Sequence, residues 1–364
     1  VNLVISGRND RPVVITVDSD GLVTEDTSAS LTESGSVTFS DVDDSDQLIA
    51  TVTLNNTSTS GSETPLPLLS ALSSAVTLNQ SGNNDGTVGW DFLLDDSLVQ
   101  YLAENELVTA HYTISVTDDS GAANAAATAS VTVLIAGRND QLEITPLDVV
   151  GSVNEDAAAT LSDGGTLIAV DADASDVVSA TATLTTTTTS GPAIPPEVAS
   201  GLSTAMTLTS NPDSVIAWEF SLASSLVQYL ADGESIAAVY TITVADDSGL
   251  PDSFVTQEVN LLISGSNDRP TVADGDVDGS VTEDDADILV DSGTITFAEI
   301  DETDLLSSSV TLTGTTTNVV AIPADLQLAL GSAVSINQTG VNDGTIVWDF
   351  AIDNALVEYL TDSE

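Results

Sequence analysis

The chain has 364 residues, 41% of them hydrophobic but only 4% aromatic, enough for two or three domain-sized cores built from Val, Ile, Leu and Ala. It carries 57 Asp and Glu against 4 Lys and Arg, a formal net charge of −53, which excludes nucleic acid and anionic lipid head groups as partners and makes cations part of its working state. There is no cysteine for disulfides or thiol catalysis, and no run of about 18 apolar residues that would insert in a membrane.

Taken in chain order, Pro12 to Val17 and Gly21 to Thr24 read as extended segments, and Gly35 to Ser40 alternates with period two. An acidic loop, Asp41 to Asp46, leads to a strand from Leu48 to Leu54. Leucines and alanines between Pro67 and Ala75 fit a short helix, matched later by Pro196 to Ala205 and Pro323 to Ala333. Then come Val76 to Asn79, a turn at Gly82 to Gly86, and a strand Thr87 to Leu93 that carries Trp90. A helical turn, Ser97 to Leu102, precedes His111 to Thr117, the turn Asp118-Asp119-Ser120-Gly121 and a last strand, Ser130 to Ile135. Some seven short strands rich in Val and Thr predict an all-β antiparallel sandwich with short helical turns.

The pattern then repeats about every 130 residues. Asn9-Asp10 returns as Asn139-Asp140 and Asn267-Asp268, Glu25-Asp26 as Glu155-Asp156 and Glu283-Asp284, and Trp90 as Trp218 and Trp348. Repeat phase predicts residues 1–10 as the last strand of a preceding repeat and units at 11–138, 139–266 and 267–364. Glu364 aligns with Glu106 and Glu234, so the third unit is expected to lack its final two strands, and the chain reads as a piece of a longer protein. With almost no linker between units, an extended rod is expected. The tryptophans, in W[DE]F on a strand, read as core anchors, as do Tyr101, Tyr229 and Tyr359. His111 has no histidine partner and is Val239 in the second unit, which argues against a shared catalytic base.

The run DDSLVQYLAENELVTAHYTISVTDDSG followed by SVTVLIAGRND resembles the C-terminal half of the VCBS repeat, and GLVTED followed by GSVTFSDVD its N-terminal half. The second unit departs from the pattern, with Gln141-Leu142 for Arg-Pro and no NDG turn like that at Asn84 to Gly86. The resemblance implies tandem Ig-like or cadherin-like sandwiches of large bacterial RTX-type adhesins: extracellular or cell-surface, type I secreted, with adhesive contacts to a surface glycan or protein made by other parts of the protein. A more distant similarity is to cadherin, in which an extended segment carrying a Glu, an Asp-x-Asp loop and an Asn/Asp linker bind calcium between domains.

Topology gives a separate reason for the acids to meet. With strands lettered A to G, each antiparallel to its predecessor, the B–C and F–G loops lie at the N-terminal pole and the A–B and E–F connections at the C-terminal pole. Asn9, Asp10, Asp41, Asp43, Asp46, Asp118 and Asp119 then face a preceding unit. The first internal junction collects Glu25, Glu104 or Glu106, Asn139, Asp140, Asp171, Asp173 and Asp246 or Asp247, and the second collects Glu155, Glu234, Asn267, Asp268 and Asp301. Such carboxylates repel unless cations lie between them. Ca2+ suits an all-oxygen set of about 6–8 flexible ligands, Mg2+ demands a tighter octahedron, and zinc lacks His and Cys here. The other acids, scattered rather than recurrent, read as a solvated coat.

One motif is local to the third unit: Asp274, Asp276, Asp278, Gly279 and Asp285 have the spacing of an EF-hand-type loop, with Asp in place of the final Glu, or else form a solvated linker. Three functions compete. Calcium-rigidified spacers, whose partners are neighbouring repeats of the same chain, lead; a calcium-dependent carbohydrate- or protein-binding module is the alternative. Glycoside hydrolysis is disfavoured because the acids gather at poles rather than across a cleft. The threonine runs Thr185 to Thr189 and Thr315 to Thr317 lack the sustained period of an ice-binding face.

Overall fold

Period-two burial fixes the architecture. Along Leu107–Thr117 every second side chain, from Val108 to Val116, points into the core, and its neighbours face outward. A computed structural model describes residues 1–210, 214–318 and 321–361.

In the first unit the strands are β1 (Val13–Val17), β2 (Asp20–Thr24), β3 (Ser30–Ser40), β4 (Ile49–Thr59), β5 (Val76–Ser81), β6 (Gly86–Asp95), β7 (Leu107–Thr117) and β8 (Ala126–Ala136), with helix α1 (Leu66–Leu72) between β4 and β5. Two four-stranded sheets, in the orders β1-β3-β6-β5 and β2-β8-β7-β4, pack face to face. All pairings are antiparallel except β2 with β8. The second unit repeats this with β9 (Glu143–Pro146), β10 (Val150–Asn154), β11 (Thr160–Val170), β12 (Ser179–Thr189), α2 (Pro196–Thr204), β13 (Met206–Ser210), β14 (Val215–Ala223), β15 (Ser235–Ala245) and β16 (Phe254–Ser264). The all-β tandem sandwich expected from the sequence is the fold.

The strands run longer than the sequence pattern marks, because β3 begins at Ser30, where Leu31 is buried opposite Leu94. Two of the three tryptophans are core; Trp348 is half-buried in the single sheet of the third unit, and Tyr359, expected in the core, is exposed. Trp90 and Trp218 are fully buried, and each indole Nε1 donates to the carbonyl at the bend between the first two strands, Asp18 at 2.8 Å and Asp148 at 2.7 Å; Trp348 Nε1 donates to the Asp276 carbonyl, just past Gly275, at 2.5 Å. That bond holds the bend that carries the N-terminal strand from one sheet to the other. A glycine lies opposite each tryptophan in register, Gly35, Gly165 and Gly293, since a Cβ at Gly165 would stand 2.7 Å from Trp218 Nε1 and 2.5 Å from the Asp148 carbonyl.

The third unit has β17 (Thr271–Gly275), β18 (Ile288–Ala298), α3 (Ala324–Leu330), β19 (Val334–Thr339) and β20 (Gly344–Asp353) in one sheet, β17-β18-β20-β19. Residues 304–317, aligned with β4 and β12, form no strand; in the other units that edge strand pairs only with β7 or β15. Glu364 lies outside the described residues. Residues 1–12 also form no strand: Val1, Leu3 and Ile5 are exposed, whereas the matching Val259, Leu261 and Ile263 are buried beside β15.

Gly165→Ala is expected to destabilise the second unit by about 1–3 kcal/mol, because backbone and indole both oppose the added methyl. Urea unfolding followed by tryptophan emission checks this, and an unchanged midpoint would show that the indole shifts freely.

Candidate metal centres at the poles of the repeats

The B–C loops fold on their own acids. Asp43 N–H donates to Asp41 Oδ1 (3.0 Å) and Asp173 N–H to Asp171 Oδ1 (3.1 Å), turns that Asp side chains favour. Asp46 N–H then returns to the Asp43 carbonyl (2.9 Å) and Asp176 N–H to that of Asp173 (3.2 Å), bringing a third acid back beside the first. In the F–G loops, Asp118 Oδ1 accepts from Ser120 N–H (2.9 Å) and Asp246 Oδ1 from Ser248 N–H (2.8 Å); Asp118 Oδ2 also accepts from Asn9 Nδ2 (3.3 Å), whereas Asp246 Oδ2 is buried without a partner. Asp41, Asp46 and Asp118 thereby place one oxygen each within 4.8 Å of one another, and so do Asp171, Asp176 and Asp246. These two triads are each built within a single unit.

A second kind of site spans two units. Glu25, at the end of β2, accepts the Arg138 N–H on Oε1, and Asp140 N–H in the linker donates to Asp173 Oδ2 (2.8 Å) in the next unit. The following junction repeats this: Ser266 N–H donates to Glu155 Oε1 (2.5 Å) and Asp268 N–H to Asp301 Oδ2 (2.8 Å). Glu155, Asp268 and Asp301 also place oxygens within 4.8 Å of one another. Backbone bonds close both junctions, from Ala174 N–H to the Tyr101 carbonyl and from Glu302 N–H to that of Tyr229, each at 3.1 Å.

The electrostatics are adverse as they stand. Glu25, Glu155 and Asp301 are 0% exposed, yet Glu25 Oε2, Glu155 Oε2, Asp173 Oδ1 and Asp301 Oδ1 are buried without a hydrogen-bond partner. Burial first, then neighbouring carboxylates, push Glu25 up to about 8, Asp173 and Glu155 to about 7, and Asp140 and Asp176 to about 6. The chain's own cations do not relieve this. It has no lysine, and its four arginines, Arg8, Arg11, Arg138 and Arg269, all flank the Asn-Asp linkers but are exposed. The donor set fits Ca2+: oxygen only, with Glu25, Asp173, Glu155 and Asp301 each held by one oxygen on a backbone N–H while the other oxygen is buried without a partner.

Of the residues expected from the sequence, the structure gathers Asp41 and Asp118 at one pole, and Glu25, Asp140, Asp171, Asp173 and Asp246 at the first junction. Asp43 accepts the Asp10 N–H (2.7 Å), the same bond Asp173 makes with Asp140. Asn9, Asn139 and Asn267 each donate to the next residue's carbonyl, and Asn9 Oδ1 and Asn139 Oδ1 are buried without partners. Asp119 and Asp247 do not join the triads; they accept the backbone N–H of Gln47 (3.0 Å) and Val177 (2.8 Å), tying F–G loop to B–C loop. Glu104 is exposed and apart from the triads, because it sits at the tip of its turn, whereas Glu106 folds under Gly61 and adds to the rise at Asp176. Glu234 reaches the third unit and accepts the Thr303 hydroxyl (2.8 Å).

Asp46, read from the sequence as facing the preceding unit, joins a triad; Asp176, at the same loop position, and Glu299, a 6%-exposed acid where the other units carry Asp, are not among the acids expected from the sequence. The EF-hand-like segment starts in β17, which pairs with β18, and ends in a turn at Glu283-Asp284; in between, the Asp276 carbonyl holds Trp348. The Asp274 side chain lies outside the described residues.

No protein-family model matches the chain, and no curated protein matches it. Solved structures with similar folds include the cadherin-like domains 1 to 4 of zebrafish RET, at 13% identity over 71% of this chain and 51% of that one, with a TM-score of 0.25. This chain thus spans about half the length of that fragment. Others are the human desmocollin-1 ectodomain, at 9% identity over 93% and 74% with a TM-score of 0.29, and Drosophila N-cadherin EC1-3, at 12% over 71% and 68% with a TM-score of 0.19. Likeness at this level carries no argument about function. Among the described residues no helix is long and apolar enough to cross a membrane.

The junction acids predict a pH dependence. Their raised values mean that a metal-free junction is most favoured below the unfolded carboxylate range, about 4.5, and loses that stabilisation as pH rises through the folded values toward about 8. Trypsin reports on it, because Arg11 and Arg269 precede proline and only the bonds after Arg8 and Arg138 are open to cleavage. In chelator, cleavage at Arg138–Asn139, normalised to an added arginyl ester, is expected to rise between about pH 6 and pH 8.5, and in calcium to stay low. A pH-independent ratio in chelator would show that the buried acids hold no proton linked to closure.

Proposed function

We propose that the chain is a set of structural spacer units whose junctions are stiffened by calcium, in a cell-surface or secreted protein with an adhesion-type role. The observation that carries this reading is the meeting of partnerless, buried carboxylate oxygens from both sides of each junction, in a chain that has no lysine and whose four arginines are exposed. Glu25, Asp140 and Asp173 would hold a cation between units one and two, and Glu155, Asp268 and Asp301 between units two and three. Bound Ca2+ would supply the positive charge that lets these acids approach. We further propose unit boundaries near 11–138, 139–266 and 267–364, kinship with VCBS-type adhesin repeats, and no enzymatic role. Glu25, Asp173, Glu155 and Asp301 are each fixed by a backbone N–H at the poles.

A ligand that binds only the ordered junction stabilises it by RT ln(1 + [L]/Kd), about 2.7 kcal/mol at a hundredfold excess over Kd. Solution scattering in calcium is expected to give a longer, stiffer particle than in chelator. Asp171→Ala with Asp173→Ala should loosen the first junction alone, since the second draws on Glu155, Asp268 and Asp301. A wild-type maximum dimension and flexibility that do not change with chelator would refute calcium stiffening.

A further inference from the structure

The three units differ behind the B–C loop. In unit one Phe39 is buried there, and Gln80 clamps the edge of β4: its Nε2 donates to the Leu48 carbonyl (2.6 Å), and Ala50 N–H donates to its Oε1 (2.9 Å). Asn84 Nδ2 adds a bond to the Asp43 carbonyl (2.7 Å). Unit three repeats the arrangement with Phe297, with Gln338 Nε2 on the Leu306 carbonyl (2.9 Å) and with Asn342 Nδ2 on that of Asp301 (2.6 Å).

Unit two has lost both the ring and the amide. Strand register puts Ala169, opposite Ile144, where Phe39 stands opposite Val14 and Phe297 opposite Val272. It likewise puts Ser210, opposite Ile216, where Gln80 stands opposite Val88 and Gln338 opposite Ile346. A cavity of about 430 Å³ takes their place, within the roughly 300–1,000 Å³ usual for small-molecule sites. One wall is apolar, from Ala169, Val178 and Ile216; the exposed Ser210 and Ser214 lie at the rim with Ser179, whose hydroxyl donates to the Ala245 carbonyl (3.3 Å). Asp171, Asp173 and Asp176 complete the lining, and Asp173, 3% exposed, has no partner for Oδ1. Ala180 also lines the space; it pairs with Val244 as Ala50 does with Val116, so its N–H faces the cavity as that of Ala50 faces Gln80.

We propose that this cavity in unit two binds a neutral polyol of monosaccharide size. Carboxylates only accept hydrogen bonds, the backbone N–H only donates, and serine does both, so the ligand must offer several groups that do both. Sugar hydroxyls have that property, and a C–H face suits the apolar wall. Anions are repelled by the chain's charge of −53, and an ammonium or guanidinium ligand would satisfy the acids but leave the Ala180 N–H and the apolar wall unused. The site shares three acids with the calcium centre, so it rests on that reading for their charge state.

Saturation-transfer NMR of the full chain with glucose, galactose, mannose, fucose and N-acetylglucosamine, in calcium, tests the inference. At least one sugar is expected to show transfer, and Ser210→Gln and Ala169→Phe, each restoring a residue the sister units accommodate, should each weaken it at least tenfold. Both variants should melt no lower than wild type, because they fill a void. No transfer from any of the five sugars, or transfer that survives both substitutions, overturns the proposal. Calcium calorimetry on the same samples reads the junctions separately. A flat isotherm would defeat the calcium reading, while sugar transfer that is lost in both variants would still uphold the pocket.

Discussion

Repulsion among buried like charges is the constraint on which the rest of the structure depends. Backbone N–H groups hold Glu25 and Glu155 in place by one oxygen, and the other oxygen faces acids from the linker and the next unit. A buried charge without a partner is among the costliest features a fold can carry. Here it recurs at both junctions, while the arginines that flank the linkers are exposed. Protons bound below the raised carboxylate values would relieve it, and so would the cation proposed above.

The scaffold makes that arrangement reproducible. The tryptophan that fills an aromatic-poor core also pins, by its indole N–H, the bend that carries the N-terminal strand from one sheet to the other. That crossing lets β2 and β10 run parallel to the last strands of their units and deliver Glu25 and Glu155 to the pole where the next unit starts. Core packing and junction chemistry are therefore linked through one hydrogen bond per unit. Substitutions at the glycines beneath the indole act on the junction as well as the core.

The repeats are alike in frame and unlike in filling. Units one and three brace the B–C loop with a phenylalanine, a glutamine and an asparagine, while unit two replaces the first two with Ala169 and Ser210. Void space behind an acid loop is a stability loss that a purely structural spacer has no reason to keep. A chain of nearly equivalent units can thus hold a position with a different task.

The sequence by itself determined the sandwich, the repeat phase and the acids that recur, because period-two burial and fixed spacing are local properties legible in one dimension. Glu25, Asp140, Asp173, Glu155, Asp268 and Asp301 were all readable from recurrence and from strand direction. Asp46 and Asp176 carried the same recurrence signal, but only the back-turned loop shows that they join Asp41 and Asp171 rather than point away. Tertiary structure alone decided that Asp119 and Asp247 serve the backbone, and that Glu106 turns inward where Glu104 turns out. It also decided that Ala169 and Ser210, unremarked in the sequence, hollow out a pocket. The reason is physical: which oxygen is spent on a backbone N–H, and which side chain fills a space, depends on neighbours distant in sequence.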